Sequence, residues 1–275
     1  AVLSEPVTAA AEVEVENITT TPSEFNAQNT WNGSEIATTF SWGEGTAEKP
    51  YLIADGAELA YLANQVNNGN TYEGKYFQLA SDIDLGNNEW TPIGNTEAPF
   101  MGVLDGAGHT IAYAKITIPS LPDQAYESYG IFGSIGGGSS RSIIRNLEIV
   151  SVNVDITASG ATGSRWQGQN EEGIRIGCLA GTLFKNTSLE NIIVSGSSIY
   201  DTNTIQVYNY QFQFAVGGVV GYITNTSSSD DDPGEGSRYV INNCYSNVEI
   251  TLDSTATVTT NGWNIFDHKF SDHLL

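Results

Sequence analysis

Basic residues are scarce in this chain. Lys and Arg total 10 against 32 Asp and Glu, a formal net charge of −22 over 275 residues. A surface that acidic repels phosphate backbones and anionic headgroups, which argues against nucleic acid as a partner and against direct membrane insertion. Long apolar runs are also missing, and nothing approaches the roughly 20 residues of a membrane-crossing helix. Cysteine is limited to Cys178 and Cys244. A bridge between them is one reading, but both fall at apolar positions of a repeat, which favours buried free thiols. No H-E-x-x-H sequence occurs, so the zinc-peptidase chemistry of that motif is absent.

What is present is glycine, asparagine and short β-branched runs. The stretch YGIFGSIGGG (129–138) holds five glycines. It is not G-x-G-x-x-G, lacks a following Lys-Ser/Thr and precedes a strand-like segment, which disfavours a phosphate cradle. It recurs as IGCLAGTLFKN (176–186) and VGGVVGYITN (216–225), and superposition aligns Gly133, Gly181 and Gly221, 48 and 40 residues apart. A second unit follows each time: SIIRNLEIVSVNVDI, TSLENIIVSGSSI and YVINNCYSNVEITL, with Asn146, Asn191 and Asn243 aligned.

Two β-branched stretches per repeat, without a helical period between them, argue against βαβ units. They predict a solenoid, in which each repeat is a coil stacked on the last. The glycines then mark sharp turns or close backbone approach, and the asparagines form a ladder or a left-handed corner. A parity switch between Ile149 and Val150 predicts a bend there.

Ahead of the repeats, YLIADGAELAYLANQVNNG predicts a helix near 55–68. Asp55 is the N-cap with Glu58 in capping-box spacing, Leu59, Leu62, Ala63 and Val66 form one face, and Gly69 is the stop. Such a helix would cover the first coil. Residues 1–30, rich in Ala, Glu and Thr, read as a disordered tether or a mature N-terminus whose targeting segment has been removed.

The ordered series GEGTAEKPYLIADGAELAYLANQVNNG, YFQLASDIDLGNNEWTPIG and FMGVLDGAGHTI, followed by G-apolar-apolar-G repeats, resembles the GLUG-repeat proteins of bacterial cell surfaces. It is similar also to regions of adhesins and to the non-catalytic N-terminal parts of IgA-cleaving metallopeptidases. The likeness covers about residues 40–250. It implies a right-handed parallel β-helix, exported and attached to the cell surface. The wider repeats here depart from that pattern.

Variable surface in such a stack belongs on insertions, here at about 119–128, 157–175 and 200–215. The third carries QVYNYQFQF, where Tyr208, Tyr210, Phe212 and Phe214 alternate with polar residues and share one face. With Trp166 from the neighbouring insertion they form either a sugar-stacking platform or a face packed onto the body. Asp230, Asp231, Asp232 and Glu235 offer hard oxygen ligands for calcium, without the D-x-D-x-D-G spacing of a dedicated loop; a solvated acidic hairpin is the plainer reading. His268 and His273 stand beside Asp267 and Asp272 and could ligate a metal, but amphipathic cover for the last coil is the plainer reading of that tail. Asp82, Asp84, Asp105 and Asp155 lie in or beside strands without forming one cluster, and His109 sits in a turn.

The expectation is therefore an all-β chain: a tether (1–30), a helix-containing cap segment (31–98) and a parallel β-helix (99–275), all but the tether continuous as one domain. The expected function is an exported, surface-attached, monomeric module that binds host or cell-surface glycans or proteins without catalysis. No cofactor is expected beyond the calcium option. Two other functions fit the same pattern: a β-helical polysaccharide lyase or glycoside hydrolase, and a structural spacer within a larger surface protein.

Overall fold

The computed structural model describes residues 30–120, 122, 125–158, 160–162, 172–201, 205–207, 212–224, 239–251 and 257–258. The N-terminal region supplies β1 (Tyr51–Ile53), α1 (Gly56–Asn67), β2 (Tyr76–Leu79), β3 (Ile83–Asp84), β4 (Val103–Asp105), β5 (Thr110–Ala112) and β6 (Lys115–Ile118). A first set of strands follows: β7 (Tyr126–Tyr129), β8 (Phe132–Ile135), β9 (Ser142–Val150), β10 (Asn153–Ile156) and β11 (Gly160–Thr162). The second set is β12 (Glu172–Gly177), β13 (Ala180–Leu183), β14 (Thr187–Asp201) and β15 (Ile205–Val207). The third is β16 (Phe212–Gly217), β17 (Val220–Ile223), β18 (Val240–Thr251) and β19 (Thr257–Val258). Among the described residues the protein is all-β with one helix.

Each set contributes one strand to each of the three-stranded sheets. β7, β12 and β16 form one three-stranded sheet, β8, β13 and β17 a second, and β11, β15 and β19 a third. The largest sheet joins β1, β2, β4, β9, β14 and β18, with β10 and β6 on the C-terminal half of β14 and β3 and β5 beside β9. Every strand pair in these sheets is parallel. Parallel pairing of consecutive repeats stacks like on like. Ile144, Leu189 and Ile241 share one register position, and Leu147, Ile192 and Cys244 share another.

Side-chain identity explains the stack. Core positions alternate along the strands and carry Ile, Val and Leu, which suit a pleated surface buried on one side. The alignment of Gly133, Gly181 and Gly221 holds in register, since Ala180 pairs with Phe132 and Val220, and Thr182 with Ser134 and Tyr222. Close approach, not a left-handed backbone, makes these glycines necessary. A β-carbon on Gly181 would lie 2.5 Å from Tyr129 N and 2.6 Å from Arg175 O; one on Gly221 would lie 2.5 Å from Ile176 N. The strands on either side of the G-apolar-apolar-G corner are pressed backbone to backbone.

The asparagines fulfil both expectations placed on them. Asn146, Asn191 and Asn243 have φ of 52°, 55° and 55°. Asn243 Nδ2 donates to Asn191 Oδ1 at 2.7 Å, Asn191 Nδ2 to Asn146 Oδ1 at 2.9 Å, and Asn146 Nδ2 to Asp105 Oδ1 at 3.0 Å. A left-handed residue costs roughly 1–2 kcal/mol, least for Asn, whose short amide can bond locally. Here that amide also links each repeat to the next.

α1 begins and ends as its sequence requires. Asp55 accepts from Glu58 N at 2.9 Å, and Gly69 (φ +97°) donates its N–H to Val66 O at 2.8 Å. The return bond of the capping box differs from expectation. Glu58 accepts from Ala54 N (2.7 Å) and Ser41 N (2.6 Å), tying the helix to the preceding segment. Leu59, Leu62, Ala63 and Val66 are buried in the common core. Beneath the helix end, Phe40, Tyr51 and Tyr72 surround Phe77, whose ring leads to Phe100 (5.7 Å) and then Phe132 (5.4 Å). This aromatic column carries the core from the helix into the first repeat.

Two further expectations change. The corner near Ile149–Val150 falls at Ser151, whose φ of +53° separates β9 from β10. The insertions are not only loops, because their described ends are strands of two of the three-stranded sheets (β7, β11, β12, β15 and β16).

Candidate functional site

Three of the four acids that an enzyme would draw on, Asp82, Asp84 and Asp105, are occupied in holding turns. Asp82 Oδ1 accepts Thr110 N at 3.0 Å and lies 3.2 Å from His109 Nδ1. Asp84 accepts Gly86 N at 2.8 Å and the Thr30 hydroxyl at 2.9 Å. Asp105 receives Arg145 Nε (2.8 Å), Ala107 N (2.9 Å) and the Asn146 amide. Partial burial works against its charge, but Asn146, the Ala107 N–H and Arg145 outweigh that and hold its pKa below the usual carboxylate value. Among the described residues no three His, Cys, Asp or Glu side chains converge as a metal site. Both cysteines are free thiols; burial pushes Cys178 up to about 12.

A cleft of about 260 Å³ opens between α1 and the segments at 31–36 and 89–91. Its walls include Trp31, Trp90 and Asn67, whose polar groups are already committed. Trp31 Nε1 donates to Glu35 O (2.8 Å) and Trp90 Nε1 to Ile131 O (3.0 Å). Asn67 bonds to Pro92 O and Gly94 N. The rings meet edge to face, 5.7 Å apart, and both are buried. The cleft is a seam that fastens the helix to the sheets.

Arg175 binds three repeats together. Its guanidinium lies 3.8 Å from the centre of the Tyr126 ring and 4.1 Å from that of Tyr222, and the residue is buried. Stacked rings on both faces favour a desolvated cation. Nothing in the sequence signals this clamp, because its members come from β7, β12 and β17.

The outward face of the largest sheet divides into two halves. Over β2, β4, β9, β14 and β18 it carries Tyr76, Val103, Ile143, Ser188 and Val240 in one row, where Val103 and Ser188 are buried and the others half-buried, and Gln78, Asp105, Arg145, Glu190 and Asn242 in the next. Over β6, β10, the end of β14 and the end of β18 the composition changes. One row reads Lys115, Asn153, Ser198, Glu249; the other reads Thr117, Asp155, Tyr200, Thr251. Ile116, Val154, Ile199, Ile118 and Ile156 point the other way, into the core.

Several bonds fix this second half. Glu89 receives Lys115 Nζ (2.7 Å) and the Thr117 hydroxyl (2.6 Å), while Ser198 Oγ donates to Asn153 Oδ1 at 2.7 Å. Burial tends to raise the Glu89 pKa, but the bonds from Lys115 and Thr117 prevail and lower it. Tyr200 donates its hydroxyl to Glu249, which raises the phenol's pKa. The signal for this strip was the alternation itself (K-x-T, N-x-D, S-x-Y, E-x-T), invisible until the strands are placed in register.

Of the residues singled out from sequence, Trp166, Tyr208, Tyr210, Asp230, Asp231, Asp232 and Glu235 lie outside the described residues, as do His268 and His273. Phe212 opens β16 opposite Glu172, and Phe214 pairs with Ile174. Phe214 is half-buried and packs against the core.

No family model matches the chain, and no solved structure matches it. Two curated proteins are similar. Over 144 residues, half of this chain, it is 33% identical to a protein of Evansella cellulosilytica named as a Gly-rich membrane protein; the match spans 15% of that protein. Over 203 residues, 70% of this chain, it is 28% identical to halomucin of Haloquadratum walsbyi, and spans 2% of it. The chain thus covers a small fraction of either relative's length. No helix among the described residues is long and apolar enough to cross a membrane.

Proposed function

We propose that this protein is a right-handed parallel β-helix of the GLUG-repeat kind, closed at one end by α1, serving as a cell-surface module for adhesion or glycan interaction without catalysis. The observation that carries the reading is the distribution of each repeat over the same parallel sheets, with like residues stacked in register. A stack of that kind grows a long, regular outer surface, and solenoids use such surfaces for binding. The carboxylates nearest to a hydrolase constellation are tied into turns and into the asparagine ladder. The names of the two relatives point to membrane and mucin-like contexts. Their far greater length suits a module set within a larger surface protein, and so also supports the spacer role.

The test is a screen of the purified chain on immobilised host glycans and extracellular-matrix proteins, run beside assays of polysaccharide depolymerisation. Saturable binding without product release is expected. Depolymerisation of any polysaccharide, with no binding partner found, overturns the proposal.

A further inference from the structure

We infer that the outward face of β6, β10 and the C-terminal ends of β14 and β18 is a binding strip for a neutral, extended glycan chain lying along the stacking direction; this rests on the glycan-interaction reading above. Four strands at a spacing of about 4.8 Å give a strip about 14 Å long across the rungs, long enough for a few consecutive sugars. The two rows on it hold eight outward side chains, none of them aliphatic. None of the eight is buried, whereas the row of Tyr76, Val103, Ile143 and Val240 on the adjoining half of the same sheet is half-buried or, at Val103, buried.

The strip also has the chemistry that sugars need. Thr117, Asn153, Ser198 and Tyr200 supply hydroxyl and amide groups on rigid strands. Tyr200 adds a ring face at the third rung, where the apolar side of a pyranose can rest. Asp155, between Thr117 and Tyr200 in register, accepts no hydrogen bond among the described residues, so its carboxylate is available for vicinal hydroxyls. The side chains around it are held in place by the Glu89–Thr117, Asn153–Ser198 and Tyr200–Glu249 bonds, so less freedom is lost on binding. Charge selects among glycans. Glu89, Asp155 and Glu249 face a single cation, Lys115, on a chain of net charge −22, so uronates and sulfated sugars are repelled.

The experiment is calorimetric titration of the full chain with cellohexaose, chitohexaose and hexagalacturonate, repeated on Asp155→Ala, Tyr200→Ala and Tyr208→Ala. The positions Asp155 and Tyr200 face solvent, and an unchanged unfolding temperature verifies that the variants fold. Expected is submillimolar binding of a neutral hexasaccharide, weakened about 10-fold or more by Asp155→Ala and by Tyr200→Ala, with hexagalacturonate at least about 10-fold weaker. Binding that survives both substitutions but is lost in Tyr208→Ala places the site on the insertions; it overturns this inference and leaves the glycan reading intact. Failure of both neutral hexasaccharides to bind overturns it too, while the wider glycan screen decides the proposed function separately.

Discussion

The second and third repeats occupy equivalent positions yet differ in burial. Leu189 is 0% exposed and its register partner Ile241 is half-buried; Ile199 is 0% exposed and its partner Ile250 is 42% exposed. Leu183 and Ile223 repeat the pattern at 1% and 44%. The side chains are nearly the same, so their type does not set the difference. β14 has neighbours on both sides in the stack (β9 and β18), whereas β18 pairs with β14 alone among the described residues. Burial in this fold belongs to position in the stack, and so does stability.

Three substitution experiments sharpen that contrast, each read as a shift in urea midpoint. The largest effect is expected from the core pair. Leu189→Ala removes a fully packed side chain with neighbours above and below and should cost about 3–4 kcal/mol; Ile241→Ala should cost about 1–2 kcal/mol. Equal losses would break the comparison. Gly181→Ala follows, because its added methyl meets backbone atoms of the facing strand that cannot rotate away; about 2–3 kcal/mol is expected. Gly221→Ala meets Ile176 at a similar distance, but the third repeat has more room to shift, so its cost should be smaller by about 1 kcal/mol.

Much of this scaffold could be read from the sequence, for reasons visible in particular residues. The helix announced itself through Asp55, its apolar spacing and Gly69, all local features. The asparagines and the glycine anchors were legible because a repeat states its own alignment. What stayed hidden depends on contacts between repeats: the Tyr126–Arg175–Tyr222 clamp, the division of each repeat among several sheets, and the polar strip of Asp155 and Tyr200. Spacing along one repeat carries no information about those partners. The aromatic platform expected at 208–214 was read from strand parity, which shows which residues share a face and not whether that face is covered. Phe214, the one member of that group whose side chain is described, packs against the core.

The smallest effect concerns the head of the asparagine ladder. The folded pKa of Asp105 is depressed by its bonds, so its stabilising contribution is present above the unfolded value of about 3.9 and is lost as pH falls through the lower folded value. Asp105→Asn keeps an acceptor for Asn146 while removing the charge. After allowance for solvent screening, the variant should be less stable than wild type by about 0.5 kcal/mol at pH 7, with the difference disappearing as pH falls through the lowered folded value. A difference that persists unchanged at pH 2 would remove the charge as its cause.

Native-state hydrogen exchange followed residue by residue tests the central claim most directly, since it reports the opening free energy of each strand separately. If stability follows position in the stack, the amides of Leu189, Ile192 and Val194 in β14 exchange only through global unfolding. Those of Ile241, Cys244 and Val248 in β18 then exchange through a cheaper opening that leaves β9 and β14 protected. Uniform protection across β9, β14 and β18, or greater protection in β18, contradicts the account.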